Sequence, residues 1–399
     1  MPVIRSILVC ILFAVACGGP READPRGAVD RAARARDEGF AEDRLEAAVT
    51  AALDREMAAH PEVRNAVAEV HLLAQDLHLT RAAGQADPAA RKRMTPSTPF
   101  RIASVSKTMT AVVVMQLVEE GRLSLSDTLE RLDGVVAVDR LHVVDGISYG
   151  RQITVEQLLR HRSGLPDYFF DGEWRDGATD YLRDVIANPT RVRPPVEIVQ
   201  WVIDHLQPIA LPGTTYHYAD TNYLLLGLIV ESIERKPLPQ VYRDRLFSPL
   251  GMKDAYLEFY EPTPAGAHPA HMFLLDADIA GVSLGEWGGG GIVATAKDLD
   301  RFFAALAQGR LFRSRATLDA MIPNDQVEPG YGYGLGIARH RETGVEFWGH
   351  SGFFGSFAWY VPAAGAVVVG TVDAFTPIDD LGSALIAAAL EASASRTDP

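Results

Sequence analysis

The order of hydrophobic patterns along this chain predicts an α+β fold, an α/β sandwich in which an antiparallel sheet is flanked by helices and a mostly helical lobe is inserted. Three observations lead there. A helical run, Leu45 to Ala59, precedes strand-like runs between Val63 and Ala83. From about residue 104 to 280 the patterns are mostly helical. The remainder alternates a helix, short strands and turns, and ends on a helical run from Ile378 to Ala394. The expected partition is a sheet domain of 44–103 and 281–396 around a lobe of 104–280, with a site in the cleft between them. An apolar fraction of 47% over 399 residues is ample for a large core.

Taken in order, the elements justify this reading. Arg5 followed by the apolar run Ile7 to Ala16 is a signal-peptide pattern over 1–16, too short to span a bilayer. Ala14-Val-Ala-Cys17 is similar to a bacterial lipoprotein cleavage box, so lipidation at Cys17 and loss of Cys10 are expected, leaving no disulfide. The expected location is therefore the periplasmic or outer side of the cell envelope, or else secretion, with a lipid at Cys17 as the membrane attachment. Residues 17–43, charged and rich in Ala, Gly and Pro, read as a tether. Thr108 to Glu120 is apolar nearly all round, hence a buried helix closed by Gly121. Leu132 to Gly150 is irregular and suggests no function. Thr154-Val-Glu-Gln157 is a capping-box start, which makes His161 and Ser163 beyond it structural in expectation. Pro212-Gly213 is a turn, and Asn222 onward is helical. Thr295 to Leu306 reads as a helix. The glycine-alternating run Tyr331 to Ala338 pairs with a return strand from Val345 to His350 across Arg341-Glu-Thr-Gly344. Ser356 to Val361 and Ala366 to Val372 form a further hairpin around Pro362-Ala-Ala-Gly365.

The chemistry starts at Arg101-Ile-Ala-Ser-Val-Ser-Lys107. Only five of the 38 basic residues are lysine, and Lys107 alone has a serine three positions before it. At i and i+3 on a helix the two side chains share a face, so an amine can activate the Ser104 hydroxyl without histidine. Ser104 falls at the helix N-terminus, where backbone N–H groups and the dipole favour developing negative charge. The plain alternative is that Ser104 caps the helix and Lys107 reaches out to solvent. Two more patches stand out: Tyr218-Ala-Asp220 on the short loop feeding a helix, and His350-Ser-Gly352 ending a strand, where Gly352 would let a substrate backbone lie against the edge.

In this order the patches resemble the motifs of the serine β-lactamase and penicillin-binding protein superfamily, S-x-x-K, then Y-x-N, then K-T-G or H-x-G. The likeness is to its class C-like branch of D-alanyl-D-alanine carboxypeptidases and esterases. The flanks Thr98-Pro-Phe-Arg-Ile-Ala103, His161-Arg-Ser-Gly-Leu-Pro-Asp167 and Gly288-Gly-Gly-Gly-Ile-Val293 extend it, and it covers about residues 45 to 392. The resemblance implies a β-lactamase/transpeptidase-like sandwich and an acyl-enzyme on Ser104. It also implies a base role shared by Lys107 and Tyr218, an oxyanion hole from the backbone N–H groups of Ser104 and Phe353, and substrate contacts from Asp220, His350, Ser351 and Gly352. The glycine run would be the tight turn leading into the helix near the site.

Two departures bear on substrate. Asp220 stands where the family usually has asparagine, and an ionised aspartate only accepts hydrogen bonds. It would hold Lys107 protonated and favour Tyr218 as base. An ammonium about 4 Å away contributes on the order of 4 kcal/mol at an effective dielectric near 20, which would lower the tyrosine by roughly three pKa units. His350 replaces the lysine usual in β-lactamases and is a weaker, pH-dependent anchor for a carboxylate.

The activity expected is that of a D-alanyl-D-alanine carboxypeptidase-like serine acyl hydrolase on a small-molecule or peptide acyl donor. Carboxylesterase, class C-like β-lactamase and a silent cell-wall-associated binding protein are the alternatives. No cofactor and no metal is expected: the pair His268 and His271 sits around a proline with no carboxylate or cysteine cluster beside it. A net charge of −14 argues against nucleic acid. Trp287 and Trp348 are candidates to line a pocket, with packing the default. Oligomeric state is left open.

Overall fold

The computed structural model describes residues 25–175, 177–274, 277–372 and 379–394, with side chains described from residue 42 and, in the last helix, from residue 381. The expectations for the signal peptide, 1–16, and for Cys17 lie outside the described residues. Helix α1 (Pro25–Ala59) ends where expected but starts well before Leu45. Strands β1 (Asn65–Leu72) and β2 (Leu77–Asp87) follow, then the short β3 (Lys92–Arg93).

Helix α2 (Val105–Glu119) is buried along nearly its whole length, and α3 (Thr221–Glu234) is the helix expected from Asn222. The glycine run forms a short helical turn, α4 (Trp287–Gly290). It does not lead straight into a helix: the strand Ile292–Ala294 comes between it and α5 (Ala296–Ala307), because that strand pairs with Phe100–Arg101 and Tyr256–Leu257 in a small three-stranded sheet. The carboxy-terminal half adds β4 (Tyr331–Tyr333), β5 (Ala338–Glu342), β6 (Val345–Ser351), β7 (Phe357–Val361), β8 (Ala366–Thr371) and α6 (Asp379–Ala394).

These strands make one eight-stranded antiparallel sheet in the order β4-β5-β6-β7-β8-β1-β2-β3. Two turns show why. Glu342 pairs with Val345 across Thr343-Gly344, both at positive φ (47° and 87°), the two-residue turn whose twist suits a hairpin. Val361 pairs with Ala366 across the expected four-residue turn. The single strand expected over 331–338 is broken. Gly336, at φ +73°, brings the backbone so close to α2 that a Cβ there would meet that of Ala111 at 2.2 Å, and Thr108 Oγ1 donates to its carbonyl at 2.8 Å.

Both faces of the sheet are covered, so β1 is buried at every residue. Its Ala66, Ala68, Val70 and Leu72 join Leu45, Val49 and Leu53 of α1 and Leu381 and Leu385 of α6 in one core. Val67 turns to the other face, with Leu299 of α5 and the helices around α2. Each of these large apolar side chains contributes about 1.5–3 kcal/mol by leaving water. Leu132 to Gly150 proves to hold a one-turn helix (Val138–Leu141) and a small hairpin pairing Val143–Val144 with Ile147–Ser148. Arg151 pins it by donating to Asp133 and Asp139, at 2.7 Å to each.

Candidate active site

Ser104 sits where the strand Phe100–Arg101 turns sharply into α2. Ala103 adopts φ +44°, unusual for a residue with a Cβ, and Ser104 follows in a helical conformation. The Ser104 hydroxyl does not cap the helix. Lys107, one turn on, is fully buried and does not reach out to solvent. Both side chains are thus turned to each other: Lys107 Nζ donates to Ser104 Oγ at 3.0 Å. The same ammonium donates to Asp220 Oδ1 at 2.5 Å and to the Gly289 carbonyl at 2.9 Å. Three acceptors therefore surround the head group, as many as an ammonium has N–H bonds to give.

The second patch arrives on the loop before α3. Asp220 stands at the helix start, and Tyr218 comes close enough to Ser104 for that side chain to act on its hydroxyl. Lys107 Nζ lies 4.9 Å from the Tyr218 ring centre. The phenol is not lowered as the isolated ion-pair estimate predicts. Burial and, next, the Asp220 charge push it well above its ordinary value, and the Ser104 side chain opposes this. Asp220 already pairs with the Lys107 charge that would otherwise act on the phenol. His161 holds the ring in place: it stacks on Tyr218 at 4.2 Å between centres, and its Nδ1 accepts from Ala219 N and Asn222 Nδ2, each at 3.0 Å. Burial keeps His161 neutral, well below its ordinary value, and the Lys107 charge adds to this. Its neighbour Ser163 donates to Asn222 Oδ1 at 2.6 Å, and the expected capping box at Thr154 and Gln157 is present.

The third patch closes the cleft at the end of β6. His350 is buried; Tyr333 Oη lies 3.0 Å from its Nε2, and its Nδ1 is 2.6 Å from the Ser351 carbonyl. Burial, helped by the Lys107 charge, lowers His350 to about 3, so at neutral pH it is an uncharged imidazole. Gly352 is needed by the protein itself: a Cβ there would meet Ser356 Oγ at 2.2 Å and the Ile102 carbonyl at 2.6 Å. Ser356 Oγ donates to that same carbonyl at 2.8 Å, tying β6 to the turn that carries Ser104. Phe353, next along, packs on Phe170, 5.4 Å between ring centres.

Three residues that sequence reasoning did not single out complete the surroundings. Asp167 Oδ1 accepts from the backbone N–H groups of Phe169 and Phe170 at 2.8 and 3.0 Å, and its Oδ2 accepts from Asp220 N at 2.5 Å. Burial and the nearby Asp220 charge raise Asp167 to about 7. Glu286, partly buried at the start of α4, is raised to about 8, mainly by burial; Asp220 adds to the rise and Arg101 opposes it. Tyr333 is the third. The only advance sign of any of them was that Asp167 ends the quoted flank from His161. The glycine run earns its place here. A Cβ on Gly289 would lie 2.7 Å from Asp220 Oδ1, so only glycine lets its carbonyl reach Lys107. Trp287 and Trp348 are packing residues; Trp287 lies against Gly227. His271 pairs with Asp278 at 2.8 Å, apart from these groups.

Comparison with known proteins agrees with this geometry. A family model described as Beta-lactamase matches residues 53–393. An unguisins hydrolase of Aspergillus campestris is 25% identical over 73% of this chain, and a D-aminopeptidase of Cereibacter sphaeroides 27% identical over 77%. The chain spans 56% of the length of each of these two relatives. Among solved structures, a D-stereospecific amidohydrolase from a Streptomyces species superposes with a TM-score of 0.71 at 27% identity, covering 84% of this chain and 97% of that one. With the fold, the order of the three motifs and a family match over most of its length in agreement, this chain belongs to the Beta-lactamase family.

Proposed function

We propose that the protein is a serine acyl hydrolase that cleaves amides or esters through an acyl-enzyme on Ser104, with leaving groups that need carry no carboxylate. One observation carries this reading: the Lys107 ammonium bridges Ser104 Oγ to Asp220 and the Gly289 carbonyl in a buried cleft. Lys107 fixes the nucleophile and balances charge, with an acceptor facing each of its three N–H bonds. Tyr218, held protonated by its surroundings, works as a relay. Ser104 Oγ bonds to the acyl carbon and its proton passes to Tyr218 Oη, while the Tyr218 proton passes to the departing nitrogen or oxygen as that bond breaks. Water then attacks the ester, and the relay in reverse returns a proton to Ser104. The Ser104 and Phe353 N–H groups receive the oxyanion, each worth about 10²–10³ in rate.

The carboxypeptidase-like expectation needs a cation for the terminal carboxylate. A neutral, hydrogen-bonded His350 supplies none, which favours an amidase or esterase over that expectation. The names of the relatives support D-amino-acid amides as the first class to try. Turnover of D-amino-acid amides, short-chain esters and D-Ala-D-Ala peptides should fall in that order, the last at least tenfold below the first two. Faster turnover of the D-Ala-D-Ala peptide would replace this reading with the carboxypeptidase one. Export as a lipoprotein is the reading of the amino-terminal sequence. Labelled palmitate should enter the native protein and not Cys17→Ser.

A further inference from the structure

A second cluster of ionisable groups lies on the β1–β2 hairpin, with two strands, β7 and β8, between it and the β6 strand that carries His350. The register sets His71 directly opposite His78 and Glu69 opposite Thr80. Period-2 alternation sends Glu69 and His71 to the face of Val67, beneath α5, which supplies Asp300. The two imidazoles stack at 3.7 Å. His71 Nδ1 lies 2.8 Å from Asp300 Oδ1, and His78 Nδ1 lies 3.4 Å from Asp300 Oδ2 and 3.5 Å from Glu69 Oε1.

Both Nδ1 atoms are thus turned to buried carboxylates, and the two Nε2 atoms point the same way, toward the turn. There Asp76, exposed and at φ +51°, presents Oδ1 at 3.7 Å from His71 Nε2 and 3.5 Å from His78 Nε2. Those spacings are too long for hydrogen bonds. They are close to the roughly 3.3 Å that separates two ligands of a tetrahedral ion bound at about 2.0–2.1 Å. His71 is 6% exposed and its Nε2 has no hydrogen-bond partner; nor has Oε2 of Glu69, which is 2% exposed. Three carboxylates here face two imidazoles. Among the described residues the ion pairs of Glu69 and Asp300 run to these histidines and to no lysine or arginine.

We propose that His71 Nε2, His78 Nε2 and Asp76 Oδ1 form a binding site for a divalent transition-metal ion of the Zn²⁺ type, oriented by Asp300 and Glu69 behind the imidazoles. A carboxylate on the far nitrogen fixes the tautomer and makes the ring a better ligand, which is the arrangement found behind metal-bound histidines. Two imidazoles and one carboxylate suit a borderline ion such as Zn²⁺ better than Mg²⁺ or Ca²⁺. Rotation of the half-exposed His78 ring brings its lone pair onto the same ion as that of His71. The cation neutralises carboxylates that the fold otherwise leaves without a permanent counter-charge.

The test is calorimetric titration of the chelator-treated full-length protein with Zn²⁺ alone, repeated with Co²⁺ as a spectroscopic probe. One ion per chain is expected, with Co²⁺ giving the visible absorption of a low-coordinate nitrogen–oxygen site. His78→Ala and Asp76→Asn should each weaken binding at least tenfold. Both positions lie at the surface end of the hairpin, and asparagine tolerates the φ of residue 76, so unchanged circular dichroism is the control on folding. Asp300→Asn should cost about 10–100-fold through its effect on His71. No saturable binding by the native protein would overturn the proposal. So would binding that survives both surface variants, or that is lost instead in His271→Ala.

Discussion

The Ser104 cleft and the hairpin cluster are built from the same materials, buried carboxylates beside imidazoles, yet they balance charge in opposite ways. In the cleft Asp220 and the Gly289 carbonyl converge on an ammonium supplied by the chain itself, and the neighbouring carboxyls Asp167 and Glu286 are pushed toward their protonated forms. On the hairpin, among the described residues, the ion pairs of Glu69 and Asp300 run to imidazoles and to no lysine or arginine. A resident cation makes a site self-sufficient and leaves its acids to titrate; its absence leaves a vacancy of charge that an outside ion can fill. The contrast explains why the nucleophile can be fixed without a metal while the hairpin presents two unshared imidazole nitrogens.

Removing the resident cation should turn the first kind of site into the second. Lys107→Met is expected to lower kcat/KM on an ester by about 10³–10⁴, since nucleophile positioning and charge balance fail together. It should also cost about 3–5 kcal/mol of stability, because Asp220 loses its buried partner. Denaturant unfolding beside the kinetics checks both, and a loss of activity with undiminished stability would break the comparison. Tyr218→Phe sharpens it. The ring keeps its stack on His161, so stability should change by less than about 1.5 kcal/mol, whereas kcat falls about 10²–10⁴-fold if the hydroxyl relays the proton. A fall of under tenfold would reduce Tyr218 to packing.

Smaller effects come from the acids. Glu286 has a folded pKa of about 8 against an ordinary 4.5, so the folded state holds a proton that the unfolded chain has released. Its contribution is fully present at low pH and is lost as pH rises from about 4.5 to 8. Glu286→Gln should therefore gain thermal stability relative to the native protein across that window, with the difference levelling off above it. A difference that shrinks with pH would contradict the sign. His350 behaves oppositely. Lowered to about 3, it takes up a proton more readily unfolded than folded, and the stability it contributes is lost as pH falls below about 6.5. For the same reason the activity profile should show no inflection near 6.5 that His350→Gln removes.

What could be read from the residues divides along the same line. The Ser104–Lys107 pair was legible because its partners are three positions apart on one helix, and the terminal hairpins because turn chemistry and period-2 runs are local. Tyr218 and His350 are ordinary residues in isolation; only the order of the motifs selected them. The expected lowering of Tyr218 failed because a pairwise sum counted the Lys107 charge while ignoring burial and the prior claim of Asp220. The strand break at Gly336 and the need for glycine at 289 and 352 depend on contacts with distant chain segments, which spacing does not encode. His71 and His78, separated by a hairpin and joined by Asp300 from more than 200 positions away, left no motif at all.

The central claim is that Ser104 is the nucleophile, positioned by Lys107. Intact-mass spectrometry after treatment with a fluorophosphonate, followed by peptide mapping, tests it most directly. One adduct per chain on Ser104 of the native protein, absent from Ser104→Ala and strongly slowed in Lys107→Met, is the predicted result. An adduct that persists in Ser104→Ala, or a native protein that takes up no label while hydrolysing esters, would contradict it.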